Sequence, residues 1–185
     1  TGEGHFRPGE DIFINKVPEI RVPHLHMHNF IEIAYVAAGR GIHRVGDTEY
    51  NVSKGDLFVI NYDVPHEFRS LPEVSHPHLS VYNCIFRPGF IDYSLINCRD
   101  FNDITWHFLF RSLFPDDAAQ RVDIKLLEND SLEMEALYEK MHREYHMREE
   151  GYVEILRAYV IELLVTIFRQ YRKRLKSSGN PSAKK

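Results

Sequence analysis

Between about residues 10 and 97 the chain breaks every few residues into short apolar or alternating runs punctuated by Gly, Pro, Asn or Asp. The runs are IFINKVP, FIEIAYVAAG, GIHRVG, TEYNVSKG, DLFVINYDVPHEF and HLSVYNCIF, with turn signals in AAGRG, VGDTE and VSKGD. The texture is that of short strands and turns. Many short strands with no helix between them imply an antiparallel sandwich or barrel.

From Phe101 the period changes to that of a helix. FNDITWHFLFRSLF places Ile104, Phe108 and Leu109 at helical spacing, with Trp106 and Phe110 filling further positions, until Pro115 and the two aspartates after it stop the run. A second helix is expected near Asn129-Asp130-Ser131, with Asp130 as N-cap and Glu133 three residues on. Its apolar face is Met134, Leu137, Tyr138, Met141 and Tyr145, and Gly151 ends it. A third is expected from about Tyr152 to Leu175. Leu156, Tyr159, Val160, Leu163, Ile167 and Phe168 face the barrel or the second helix, which leaves Ile155, Leu164 and Tyr171 over. An excess of apolar surface on one helix has two readings, a partner interface or internal packing.

The bulk properties narrow the class. At 185 residues and 43% hydrophobic, the chain fits one domain with a helical appendage. No stretch approaches the roughly 18 apolar residues of a membrane span. The most apolar run, YVIELLVTIF, is interrupted by Glu162. Cys84 and Cys98 make no C-x-x-C pair and no disulfide framework, and no signal-peptide pattern opens the chain, so a cytoplasmic protein without a membrane partner is expected. Residues 169–185 carry seven Lys/Arg and no acid. Removing those seven from the total of 23 leaves 16 basic against 27 acidic residues, an acidic body poorly suited to holding a phosphate backbone. The basic tail reads as a solvated helix end and linker, with direct DNA contact as the alternative.

The chemistry concentrates in HLHMHNFIEIAYVAAG, residues 24 to 39. Residues two apart on a strand share a face, so His24, His26 and His28 line one side, and Glu32 joins them if the strand is unbroken. Imidazole and carboxylate suit a transition-metal ion, and His66, after another apolar strand and a turn, is available as a fourth ligand. The alternatives are a solvated histidine row or a hydrogen-bonding pocket.

These residues resemble the cupin family. Its first motif, G-x5-H-x-H-x3-4-E-x6-G, is reproduced from the first histidine onward by His26, His28, Glu32 and Gly39, without the opening glycine. In its second motif, G-x5-P-x-G-x2-H-x3-N, Gly55 and His66 match. The family's proline, glycine and final asparagine fall on Asn61, Asp63 and Ser70. The fold implied is mainly β with C-terminal α-helices, a cupin (double-stranded β-helix or jelly-roll) barrel followed by a helical dimerisation segment. The order of parts is similar to the regulatory half of AraC-type transcription regulators, over about residues 10–175. That resemblance implies an effector-binding barrel at 1–98, a helical dimerisation segment at 99–176, and a linker at 177–185 leading to a DNA-binding domain with two helix-turn-helix motifs.

The implied function is a sensor. A small-molecule effector, a sugar or related metabolite, is bound in the barrel, the chain is a homodimer through its C-terminal helices, and DNA is reached only through the missing domain. His26, His28, Glu32 and His66 resemble the metal ligands, for one divalent transition metal (Zn, Ni, Fe or Mn), with no other cofactor. His24, Tyr35, His43, Phe58 and Tyr82 are candidate effector contacts, with Arg44 and Tyr62 weaker ones. Ile155, Tyr159, Leu164 and Tyr171 are the candidate dimer interface. No residue is assigned a catalytic role. The alternative is a metal-dependent cupin enzyme, an oxygenase or isomerase.

Overall fold

The computed structural model describes residues 4–18, 25–71, 78–91, 122–125 and 128–178. Seven strands occupy the strand-like part of the sequence: β1 (Ile12–Pro18), β2 (Ile31–Ala38), β3 (Arg40–Val45), β4 (Thr48–Ser53), β5 (Asp56–Ile60), β6 (His66–Ser70) and β7 (Ser80–Phe86). An eighth, β8 (Val122–Lys125), precedes two helices, α1 (Glu128–Met147) and α2 (Tyr152–Ser178). The sheets are antiparallel, with orders β1-β7-β2-β5-β8 and β4-β3-β6. This is the expected barrel followed by helices.

The five-stranded sheet is a wall between two cores. On β2, Ile31, Ile33, Tyr35 and Ala37 join Leu57, Val59, Tyr82, Cys84 and Phe86 in the cluster that contains the helices. Ala34 and Val36 join Phe58, Ile60, Phe68, Leu79 and Val81 in the cluster inside the barrel. Alternate side chains of one strand thus serve opposite cores. That is why the run IEIAYVA is buried at every position rather than at every second one.

Two turns explain motif residues. Gly39 has φ +78, and a Cβ there would lie 2.5 Å from the His78 carbonyl carbon, so only glycine fits where the first motif ends. Asp63, where the family's second motif has glycine, has φ 56. Aspartate enters this left-handed region more readily than most residues, and the Asp63 N–H donates to the His28 carbonyl at 2.8 Å. The turn that delivers His66 is thereby tied to the segment carrying His28.

The helices pack on the wall. α1 buries Met134, Leu137, Tyr138, Met141 and Tyr145, the face read from the sequence. The Tyr138 hydroxyl donates to the Ile33 carbonyl at 2.8 Å, and the Tyr35 hydroxyl meets Ser131 Oγ at 2.8 Å. At the turn between the helices, Arg148 adopts φ 53, and its guanidinium and the Tyr152 hydroxyl both reach Glu10.

Four expectations are corrected. α1 begins at Glu128, so Asp130 lies inside the helix and is not its N-cap. β8 was not anticipated, because four residues are too few to show a period; pairing with β5 is what makes it a strand. Leu164, expected on the outer surface, is completely buried. The inward arc of α2 is Leu156, Val160, Leu163, Leu164 and Ile167, the broad a/d/e stripe of a core helix rather than a narrow seam. Finally, His26 and His28 do not stand on one strand with Glu32: residues 29 and 30 bend before β2 begins. The helix expected over 101–114 lies outside the described residues.

Candidate metal and ligand site

Two separate segments, the one carrying His26 and His28 and β6 with His66, converge on Glu32, which lies on β2 and is 5% exposed. His26 pairs backbone to backbone with His66, N to O at 3.1 and 2.9 Å, which joins the segment before β2 to the opposite sheet. His28 Nε2 lies 3.1 Å from Glu32 Oε2, and His66 Nε2 lies 3.5 Å from the same oxygen. The imidazole centroids of His26 and His66 are 4.4 Å apart, and those of His28 and His66 5.0 Å. His26, Glu32 and His66 each offer a donor atom within 4.8 Å of the other two. The structure therefore brings His26, Glu32 and His66 into mutual reach, and His28 joins them at the Glu32 carboxylate, its ring centroid 6.2 Å from that of His26.

The other ring nitrogens fix the orientation. His28 Nδ1 is 2.9 Å from the Phe30 carbonyl, and His66 Nδ1 is 3.2 Å from the Val64 carbonyl. A carbonyl only accepts, so each Nδ1 carries a hydrogen and each Nε2 is the atom left facing the carboxylate. A lone pair directed at an anionic oxygen about 3 Å away is repulsive unless a positive charge, a proton or a metal ion, lies between them. Ligands 2.1 Å from one ion stand about 3.0 Å apart at a right angle and about 3.4 Å apart at the tetrahedral angle. The two observed separations fall close to that range. Backbone carbonyls holding Nδ1–H are also the usual outer support of a ligating histidine.

Burial alone would push the Glu32 carboxyl up. The hydrogen bonds and charge of His28 and His66 override it and hold the group well below the usual carboxylate range. Two supporting side chains were missed from the sequence. The Asn83 amide, with its nitrogen turned to the carboxylate, donates to Glu32 Oε1 at 3.3 Å. Phe30 stacks on His28, with ring centroids 4.0 Å apart and planes at 5°. Strand parity marks Asn83, a polar residue on the barrel side of β7. Phe30 gave no signal beyond its proximity to His28.

The candidate effector contacts divide. His43 and Phe58 are inside the barrel: the His43 ring stacks on Phe68 at 3.9 Å and lies 4.4 Å from Phe58 and 6.0 Å from His66. Tyr35 and Tyr82 are corrected. They are register partners on β2 and β7 that point to the helix side, where both rings pack on Tyr138. They line no barrel pocket, because odd positions of β2 and even positions of β7 face the helices. His24 lies outside the described residues. Arg44 is half-buried and donates to the Gly46 carbonyl, and Tyr62 packs at the edge of the helix-side core. On α2, Ile155 is 40% exposed, whereas Tyr159 and Tyr171 are half-buried against the chain's own core.

Residues 7–149 match the family model described as the AraC-like ligand binding domain. The HTH-type transcriptional activator RhaR of Escherichia coli (strain K12) is 35% identical over 63 residues, which is 34% of this chain and 21% of that protein. The same values hold for RhaR of Shigella flexneri serotype 5b. The matched segment is about a fifth of the length of these curated relatives. Among solved structures, apo ToxT K231A from Vibrio cholerae aligns with a TM-score of 0.57 at 11% identity, covering 95% of this chain and 60% of that one. That likeness is one of fold.

Proposed function

The chain belongs to the AraC-like ligand-binding domain family, and from that premise we propose that it is the sensing half of a transcription regulator whose barrel holds one divalent transition metal, Zn, Ni, Fe or Mn. His26, His28, Glu32 and His66 are the ligands. The observation that carries the metal reading is the His28 ring, whose Nδ1 is committed to a carbonyl while Nε2 faces a buried carboxylate. When bound, the ion supplies positive charge and open coordination positions for an oxygen-bearing effector. The protein's residues supply the rest: Asn83 fixes the Glu32 carboxylate, Phe30 packs the His28 ring, and the barrel core with His43 and Phe58 bounds the site.

The effector is a small molecule, a sugar or related metabolite. Its binding favours one arrangement of the barrel, the helices and a DNA-binding domain, and a tenfold shift between two arrangements needs about 1.4 kcal/mol of differential affinity. DNA contact belongs to that domain, in keeping with the helix-turn-helix named for the RhaR relatives. A homodimer forms through α2, with Ile155 at its exposed face and Tyr159 and Tyr171 beside it. Among the described residues no helix is long and apolar enough to cross a membrane.

Metal analysis of protein purified without chelator, followed by a thermal-shift screen of sugars and hydroxy acids, tests this reading, because a ligand that binds only the folded state raises its stability. One equivalent of tightly held metal that is lost in His66→Gln, and a compound that raises Tm in a turnover-free sample, are expected. Folded protein that takes up no metal overturns the metal assignment. The same three-histidine, one-carboxylate set is also the donor set of a metal-dependent oxygenase or isomerase. Catalytic turnover of a screened compound by the metal-loaded protein establishes that second reading instead.

A further inference from the structure

On α1, His142 and His146 stand four residues apart in the run HREYH. Neither belongs to the barrel cluster. Side chains at this spacing lie one turn apart on the same helix face. Their ring centroids are 4.2 Å apart, with planes at 34°. His146 Nδ1 is 2.7 Å from the His142 backbone carbonyl, so that nitrogen carries the hydrogen and Nε2 holds the lone pair. His146 is exposed and His142 half-buried, with its ring 5.9 Å from that of Tyr82.

We propose that His142 and His146 form a second, surface site that chelates a divalent transition metal, Cu(II), Ni(II) or Zn(II), through two imidazole nitrogens, with water completing the coordination. The helix supplies the pre-organisation: two ligands already face the same side, and one is held in the required tautomer by its own backbone. The Lys16 ammonium, 4.5 Å above the Tyr82 ring, opposes a dication nearby, which makes the site weaker than the barrel's. Imidazole donors without a thiolate follow the usual order of affinity, with Cu(II) tightest. The two-histidine spacing is that of the metalloprotease helix, but there the glutamate directly follows the first histidine. Here that position is Arg143 and the glutamate is Glu144, so the site binds and does not catalyse.

A bound ion bridges two turns at the end of α1, just before the Arg148 turn that grips Glu10. Metal is therefore expected to stiffen the joint between the two helices.

The test is nickel titration by calorimetry on the full chain, comparing the wild type with His142→Gln, His146→Gln and the barrel variant His66→Gln, each verified as folded by circular dichroism. The wild type is expected to show two classes of site. His142→Gln and His146→Gln each weaken one class at least tenfold and leave the other, while His66→Gln does the reverse. Copper bound to His66→Gln gives an electron paramagnetic resonance signal with two-nitrogen coupling that is lost when His146→Gln is added in the same chain. Isotherms of both helix variants that superimpose on the wild type overturn the proposal. If the barrel takes no metal, the wild type and His66→Gln coincide while His146→Gln removes the remaining uptake, so the two assignments fail separately.

Discussion

Replacing Tyr138 with phenylalanine removes one oxygen atom from a fully buried position and leaves the ring in place. The lost atom donates a 2.8 Å hydrogen bond to the Ile33 carbonyl. The retained ring still packs on Tyr35 and Tyr82, with centroids 5.5 and 5.6 Å away. Burial pushes the Tyr138 hydroxyl well above its ordinary range, so it is a donor at every pH where the protein folds. A carbonyl has two lone pairs, and Ile33 lies in a strand paired on both sides. The acceptor is therefore under-satisfied in the variant rather than stripped of every partner, which puts the cost near 1 kcal/mol instead of the 3 kcal/mol that can follow a full orphaning. For a chain of this size that is a fall of about 2–4 °C in Tm. Tyr138→Ala, which also empties the ring's place, should cost about 3–5 kcal/mol. Thermal and urea unfolding of the two variants beside the wild type measures both. A phenylalanine variant as stable as the wild type, with alanine strongly destabilised, would refute the hydrogen bond while leaving the packing intact.

The contact between Tyr35 and Ser131 gives a second contrast. The Tyr35 hydroxyl meets both the Ser131 hydroxyl and its backbone carbonyl, so Ser131→Ala should cost less than Tyr35→Phe in the same unfolding assay. Gly39→Ala must accommodate a Cβ 2.5 Å from backbone at φ +78 and should lose well over about 1 kcal/mol, whereas Asp63→Gly relieves a left-handed φ and should leave Cm unchanged or raised. In metal-free protein the depressed Glu32 carboxyl contributes stability that is present above its ordinary value of 4.5 and is lost as the pH falls below it. Acid titration of Glu32→Gln should show a flatter decline than the wild type; parallel curves would count against the paired carboxylate. Ile155→Glu should shift a concentration-dependent dimer toward monomer in sedimentation velocity while leaving Tm nearly unchanged.

The strands were legible because their signals are local: IFINKVP and its successors are punctuated by turn residues, and β1 to β7 follow those runs to within two residues, with β5 and β6 sharing DLFVINYDVPHEF. β8 has no such signal, since a four-residue segment becomes a strand only by pairing with β5. The four candidate ligands were legible by type and spacing, although the route was different. A bend separates the histidines from β2, and the isolated bridge from His26 to His66 closes the cluster. Tyr35 and Tyr82 were placed in the wrong core because β2 is buried on both faces, and composition cannot distinguish one core from the other. Strand parity counted from Glu32 could have done so. Leu164 was misplaced because one turn of α2 holds Leu163 and Leu164 side by side, and both point inward.

That double burial of β2 has an evolutionary consequence. On a strand with one wet face, every second position is free to vary; on this one, none is. Glu32 belongs to the barrel site and the very next residue carries the carbonyl that anchors α1, so a substitution that tunes ligand preference sits one peptide bond from the support of the helices. A saturation scan should find β2 intolerant along its whole length, without the even-odd rhythm of β3. New specificities in such a chain are easier to acquire from the segments that lead into β2 and β6 than from the wall itself.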